Sequence, residues 1–272
     1  MTLNKDLTEI DNYLSNHGIE ALRDASGLRF TIDSLAIGHT PKITSTITFD
    51  YKGTLLETGA VFETSTLKNA AIDKLITGMQ IGLQLIPNGS KGTLYIPSVY
   101  AYGSQSTGKI PANSILIFEI KLKSIVVSTT EKNQLTSDTV KIDSYLLAQN
   151  ITATRDTSGL RYETTQIGTG ATPGLYNKVK ISYTGYLIDG TVKGLKFFTG
   201  TAEPTSTTDS RVANYIRGFQ VGLQKMKSGG KAVFYIPSGL AFGSQELTIN
   251  LLKIPANSNV IYEVELTEVL DP

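Results

Sequence analysis

The chain repeats itself once. Ile10-Asp11-Asn12-Tyr13-Leu14 returns as Ile142-Asp143-Ser144-Tyr145-Leu146, and Arg23-Asp24-Ala25-Ser26-Gly27-Leu28-Arg29-Phe30 returns as Arg155-Asp156-Thr157-Ser158-Gly159-Leu160-Arg161-Tyr162, both displaced by 132 positions. Tyr51-Lys52-Gly53 answers to Tyr183-Thr184-Gly185 at the same displacement, whereas Gly78, Gly82, Tyr95-Ile96-Pro97-Ser98 and Gly103 match Gly218, Gly222, Tyr235-Ile236-Pro237-Ser238 and Gly243 at 140. Lys109-Ile110-Pro111-Ala112-Asn113-Ser114 matches Lys253-Ile254-Pro255-Ala256-Asn257-Ser258 at 144. The second copy therefore gains eight residues between Tyr183 and Tyr215, and four more after Gly243. A period this long describes two duplicated globular domains rather than a solenoid. The 272 residues divide in the same way, at about 150 per domain. The expected domains are residues 1–128 and 133–272, with the polar run 128–134 as a linker.

Within a copy, Leu3, Leu7, Ile10 and Leu14 step along one face of an amphipathic helix that should end at His17-Gly18, with Asn150 as the second copy's counterpart. Beyond it the pattern shortens to period two or to brief apolar runs: Leu28–Ile32, Ile43–Tyr51, Gly92–Ile96 and Ile115–Leu122, bounded by Gly, Pro and Asn. Residues 70–75 read as a turn or loop, and 79–85 as a second short helix. The sum is an α+β class, with several antiparallel strands per copy and a short helix covering the sheet.

Composition removes several kinds of chemistry. Lys+Arg exceeds Asp+Glu by one, 25 against 24, so no long-range field draws nucleic acid or an anionic membrane. With no Cys, disulfides, thiolate metal sites and a cysteine nucleophile are excluded, and two His offer little for a metal site or a triad. No cofactor and no metal are expected. No run approaches 18 apolar residues, and the polar opening Met1–Asp6 is no signal peptide, so a cytosolic chain or one cut from a longer precursor is expected. His17 and His39 read as surface or capping residues. Glu119 and Glu263 alternate onto a solvated strand face, and neither a Gly-x-Ser-x-Gly elbow nor a phosphate loop occurs. What remains is a recurrence of Tyr51, Phe62, Ile76, Tyr102, Ile110 and Phe118 beside Gly and Pro turns, which on spacing alone are core positions.

Tyr51-Lys52-Gly53, Phe62-Glu63-Thr64-Ser65, Leu75-Ile76-Thr77-Gly78-Met79, Tyr95-Ile96-Pro97, Tyr100-Ala101-Tyr102-Gly103 and Ile110-Pro111-Ala112-Asn113 with Leu116-Ile117-Phe118-Glu119 occur in this order. That series resembles the FKBP-type peptidyl-prolyl cis-trans isomerases over roughly the last 90 residues of each copy. The helix and Ser-Gly-Leu-Arg strand before it resemble the N-terminal extension of exported bacterial members, often lipoproteins. The resemblance implies, for each copy, a five-stranded antiparallel half-barrel around a short helix, preceded by an N-terminal helix, with an apolar pocket for a prolyl ring. It implies Tyr51, Phe62, Met79 and Phe118 as walls and floor, Leu75 and Ile76 as rim with the Ile76 N–H as a donor, Ile110 at the substrate, and Tyr102 as the hydroxyl that bonds a bound carbonyl. Met79 replaces the usual Trp and Glu63 the usual Asp.

By the same resemblance, Tyr183, Tyr215, Ile216, Phe219, Phe242, Ile254 and Tyr262 line the second pocket. There Thr191-Val192-Lys193-Gly194 replaces the Phe-Asp pair, Phe242 lacks the hydroxyl, and the eight-residue insertion with Pro204 runs past the mouth. Either Phe197 or Phe198 refills the wall. The implied function is prolyl isomerisation in protein folding, mainly by the first domain. A non-catalytic peptide-binding helper or scaffold is the rival, and a purely structural pair a further alternative. Implied partners are X-Pro polypeptides and the family's macrolide inhibitors, with membrane contact only through a lipid anchor absent from this chain. The implied location is the periplasm or cell envelope, the alternative the cytoplasm.

Overall fold

The computed structural model describes residues 3–34, 36, 40–203 and 210–271; His39 and Pro204 lie outside them. The chain folds as two units, residues 1–127 and 128–272.

In the first unit the apolar stripe forms α1 (Leu3–Asn16), which buries Ile10 and Leu14 and ends before Gly18 at φ +63°. After it come β1 (Leu22–Arg23), β2 (Arg29–Ser34), β3 (Thr46–Leu55), β4 (Val61–Ala71), α2 (Thr77–Leu83), β5 (Lys91–Ile96) and β6 (Leu116–Ile125). They make one antiparallel sheet in the order β1-β2-β5-β6-β3-β4. The five long strands are those expected of a half-barrel, and the two-residue β1 adds a sixth at the edge. Residues 70–75 are not a simple loop: β4 runs to Ala71 and a single 3-10 turn, Ile72–Lys74, leads to α2.

Strand alternation gives the sheet two apolar faces. Leu94, Ile96, Leu116, Phe118, Ile120 and Leu122 face α2 and the main core, whereas Tyr95, Ile115 and Ile117 meet Ile10 and Leu14 of α1. One helix therefore covers each face, where the sequence pattern suggested a single cover. Each α1 anchor removed from water stabilises by about 1.5–3 kcal/mol at most. The Asp11 carboxylate fixes the helix direction through Arg29, accepting from Nε and Nη2 at 2.8 Å each.

The second unit repeats this plan with α3 (Thr129–Ala148), β7 (Thr154–Arg155), β8 (Arg161–Gln166), β9 (Lys178–Asp189), β10 (Val192–Ala202), α4 (Arg217–Leu223), β11 (Gly230–Ile236), β12 (Leu247–Ile249), β13 (Leu252–Ile254) and β14 (Val260–Leu270). Its main sheet has the order β10-β9-β14-β11-β8-β7. The four extra residues after Gly243 build the β12–β13 hairpin, turning through Asn250 and Leu251 at φ +50° and +67°.

The expected linker, 128–134, is helical instead. Ser128 Oγ accepts from the Glu131 N–H at 3.1 Å while the Glu131 carboxylate accepts from the Ser128 N–H at 3.1 Å, a capping box that starts α3 directly at the unit boundary.

Candidate active site

The short helix α2 sits unusually close to β5, because glycine occupies both positions that face the strand. A Cβ on Gly78 would lie 2.2 Å from Ile96 Cγ2, and one on Gly82 would lie 2.2 Å from Leu94 Cδ1. Gly218 and Gly222 meet Ile236 and Phe234 in the same way, at 2.4 and 2.6 Å. This approach sets how closely the helix packs on the sheet, and Met79 on the helix, the expected floor, is buried in the core cluster.

Four aromatic rings of the first unit converge above that floor. Tyr51 and Phe118 lie 5.9 Å apart between centroids, Phe62 meets Phe118 edge to face at 5.6 Å, and Phe49 backs Tyr51 at 5.7 Å. Phe62 is the extra residue of a bulge, since Gly53 pairs with Glu63 and Thr54 with Val61. Its ring lies over bare Gly53, where a Cβ would be 2.3 Å from Phe62 Cζ. Leu75, Ile76, Ile110 and Met79 belong to the same core cluster, so the expected walls, floor and aliphatic rim are brought together.

The polar groups stand at the edge of this box. Burial, then the hydrogen bond and charge of Glu63, push the Tyr51 hydroxyl above the usual phenol range; Ser65 also bonds it, and the Tyr102 phenol lies close enough to contribute. Ser65 is a neighbour that sequence reasoning did not single out. Tyr102 is 40% exposed on the loop after β5 and lies outside the core cluster. Ile76 precedes the first turn of α2, and among the described residues its N–H has no acceptor. The arrangement is a cluster of aromatic rings with a part-exposed tyrosine and, at Ile76, a backbone N–H without an acceptor among the described residues.

The second unit also gathers its expected residues. Tyr183, Tyr215, Ile216, Phe219, Phe242, Ile254 and Tyr262 all join one cluster. Phe219 lies 4.7 Å from Tyr262 and 5.2 Å from Tyr183, and Tyr215 stacks on Phe219 at 5.8 Å. The missing wall is supplied by Phe197, buried against Tyr262 at 5.7 Å and Phe242 at 6.1 Å, over bare Gly185.

Thr191–Gly194 is therefore not the counterpart of the Phe-Glu pair. Nine positions separate Gly53 from Phe62 and twelve separate Gly185 from Phe197, so the pair has moved three residues along the hairpin. The eight-residue insertion divides accordingly, three residues in the hairpin and five between β10 and α4. Gly185 pairs with Phe198, which thus stands where Glu63 stands in the first unit. Phe198 stacks on Tyr183 at 5.2 Å, and burial alone raises the Tyr183 phenol. The signal was the bulge: the residue before the glycine's cross-strand partner is the wall in both copies.

The remaining candidates have ordinary roles. His17 stacks on Tyr13 at the end of α1, and its Nδ1 lies 2.8 Å from the Tyr13 carbonyl oxygen. Glu119 pairs with Lys52 and Glu263 with Lys193 on the outer faces of the sheets.

Residues 38–123 and 170–267 match the model of the family described as "FKBP-type peptidyl-prolyl cis-trans isomerase". The chain is 36% identical over 104 residues to "FKBP-type peptidyl-prolyl cis-trans isomerase FkpA" of Aeromonas hydrophila, covering 37% of this chain and 38% of that protein. It is 29% identical over 199 residues to "FKBP-type 22 kDa peptidyl-prolyl cis-trans isomerase" of Escherichia coli K12, covering 71% and 92%. Over 112 residues it is 34% identical to "Outer membrane protein MIP" of Legionella longbeachae, covering 41% and 45%. The match with the Aeromonas protein thus spans well under half of that relative's length.

Proposed function

The chain belongs to the FKBP-type peptidyl-prolyl cis-trans isomerases, and from that premise we propose that its first unit catalyses cis-trans exchange of X-Pro bonds in polypeptides and so assists their folding. The observation that carries this reading is the cluster of Tyr51, Phe62, Phe118 and Met79, with part-exposed Tyr102 and an Ile76 N–H that has no acceptor among the described residues.

Rotation about the imide is opposed by resonance worth about 18–20 kcal/mol, and X-Pro bonds exchange in roughly tens to hundreds of seconds unaided. The planar imide is charge-separated and well solvated; the twisted state is less polar. A dry apolar pocket disfavours the former more than the latter, and this difference accelerates the reaction without any covalent step. Tyr51, Phe62, Met79 and Phe118 exclude water from the prolyl ring. The Ile76 N–H and Tyr102 hydroxyl hold carbonyls of the bound chain, while Glu63 fixes the Tyr51 hydroxyl from outside. Macrolide ligands of the family would enter the same box.

A second reading applies to the second unit and rests on Phe198 and Phe242. Phe198 puts a ring where the first unit has a carboxylate, and Phe242 keeps the ring of Tyr102 without its hydroxyl. That pocket keeps apolar area and loses polar anchors, which suits binding more than turnover. We expect exchange there to be at least about tenfold slower, a difference of about 1.4 kcal/mol in transition-state stabilisation, and macrolide binding to be weaker. The proposed location is a bacterial cell envelope, supported by the name of the Legionella relative, with the cytoplasm as alternative.

Phe62→Ala and Phe197→Ala in the full chain test both readings on one X-Pro peptide, with folding followed by circular dichroism. Loss of most turnover in the first variant and little in the second is expected. Equal losses, or the larger loss from Phe197→Ala, would refute the assignment of turnover to the first unit. Wild-type protein no faster than buffer would leave the binding-only function.

A further inference from the structure

The loop that carries Tyr102 is held from outside the matched family segment. Asp6, on α1, is fully buried although it carries a carboxylate. Its Oδ2 accepts from the Ser98 N–H at 2.8 Å and from the Ser98 hydroxyl at 2.5 Å. Oδ1 has no partner among the described residues. A buried carboxylate is costly unless hydrogen-bonded, so a half-satisfied one needs a reason to be kept.

Ser98 is the first residue of a 3-10 turn, Ser98–Tyr100, that leads straight to the rim. The Ser98 carbonyl accepts from the N–H groups of Ala101 and Gly103 at 3.0 and 2.9 Å, the two amides flanking Tyr102. Gly103 in turn passes its carbonyl to the Asn113 N–H at 2.7 Å, and the Tyr100 hydroxyl donates to the Ser26 carbonyl at 3.0 Å. Asp6 thus grips the one residue whose carbonyl brackets the proposed substrate-binding hydroxyl.

The second copy repeats the device independently. Asp138 on α3, also fully buried, accepts from the Ser238 N–H at 3.0 Å and hydroxyl at 2.6 Å, and the Ser238 carbonyl accepts from Ala241 and Gly243 around Phe242. The backbone before the rim residue has the same shape in both copies, with φ/ψ of −111°/−112° at Ala101 and −109°/−104° at Ala241. In that copy Gln134 satisfies the second carboxylate oxygen at 2.7 Å and Asn259 also accepts from the Ser238 N–H.

We infer that Asp6 is a positioning residue for catalysis by the first unit: through Ser98 it holds the Tyr102 loop in its substrate-binding geometry, so α1 is part of the working domain and not an appended cover. The inference rests on the role proposed above for Tyr102. The test compares wild type, Asp6→Ala, Tyr102→Phe and the double variant in the full chain, by steady-state exchange of an X-Pro peptide and by amide hydrogen exchange at Ala101 and Gly103.

Asp6→Ala is expected to lower kcat/KM by no more than Tyr102→Phe does, about 2- to 10-fold, the span of one neutral hydrogen bond. In the Tyr102→Phe background Asp6→Ala should add nothing, because its only route to substrate has been removed. Protection of the two amides should fall in either background. Wild-type turnover in Asp6→Ala beside a clear loss in Tyr102→Phe would overturn the inference, as would losses that multiply in the double variant. A neutral Tyr102→Phe would instead remove the proposed role of the hydroxyl, and unchanged amide protection in Asp6→Ala would still dismiss the clamp. If Asp6→Ala does not fold, Asp6→Asn, which keeps an acceptor for the Ser98 N–H, and Ser98→Ala, which loses only the hydroxyl, carry the same comparison.

Discussion

A single methyl group added at Gly53 tests the pocket without touching any pocket side chain. The new Cβ would lie 2.3 Å from Phe62 Cζ, 2.4 Å from Cε2 and 3.0 Å from Cε1, where ordinary contacts begin at 3.4 Å. The strand backbone is held on both sides, by β4 and β6, so the ring must yield. It has to retreat by roughly 1 Å, a displacement that at a reacting centre can cost up to about 10²-fold in rate. Because Phe62 is only partly buried, the retreat costs stability modestly, about 1–3 kcal/mol including the weakened edge-to-face contact with Phe118. Gly53→Ala should therefore remain folded in urea titration and lose at least about tenfold in kcat/KM on an X-Pro peptide. Gly82→Ala is the contrasting case: its Cβ would strike fully buried Leu94 at 2.2 Å, and the loss should appear first in the unfolding midpoint. A folded Gly53→Ala protein with wild-type turnover would refute the reasoning, since the wall could then move without consequence.

Two more expectations concern architecture and pH. Residues 1–128 expressed alone should show a cooperative thermal transition and catalyse, since every strand and helix of the repeat is present; an unfolded product at room temperature would move the boundary. The bond from Arg29, followed by the charges of Arg29 and Arg23 working against partial burial, holds the Asp11 carboxyl below its ordinary value. A depressed folded pKa stabilises above the unfolded value of about 3.9 and loses that contribution as pH falls through the folded value. Asp11→Asn should thus be less stable than wild type at pH 6 and converge with it at strong acid. A constant gap between the two urea midpoints down to pH 2 would contradict this.

The repeat made the fold legible because it reports spacing twice. Constant displacement across Gly78, Gly82 and Tyr95–Ser98 marked the parts where helix and sheet touch closely, and those parts tolerate no length change. The capping box was equally readable in Ser128-Thr129-Thr130-Glu131, but the polar composition of that run obscured it. Two features were not legible for physical reasons. The position of the second aromatic wall depends on where a bulge falls, and a bulge is chosen by ring packing over Gly185, not by local propensity. The clamp from Asp6 to Ser98 joins residues 92 positions apart, and a lone Asp on an amphipathic helix reads as a solvated residue until the loop is seen to close over it.

The differences between the copies reach the floor and wall, where Met79 becomes Phe219 and Phe118 becomes Tyr262, as well as the rim. At the rim Glu63 becomes Phe198, Leu75 becomes Tyr215 and Tyr102 becomes Phe242, so the second pocket gains two rings, loses a carboxylate and the Tyr102 hydroxyl, and brings in the Tyr215 hydroxyl. Rings added at the rim touch parts of the chain away from the imide, which are the same in the planar and the twisted state, and such uniform binding lowers KM without raising kcat. The apolar pocket itself is common to both copies; what the second lacks is the Tyr102 hydroxyl and the Glu63 carboxylate. The close approach of helix to sheet, by contrast, is preserved by the same glycine pair, and the rim loop by the same buried Asp-Ser contact. On the reading proposed above, a domain kept in shape around a pocket with fewer anchors would hold a proline-containing chain, while the other domain would turn such bonds over. Kinetics on one shared peptide should accordingly show the second pocket with the lower kcat and a KM no higher than that of the first; a lower kcat accompanied by a much higher KM would mean that the added rings obstruct the pocket and do not grip the chain.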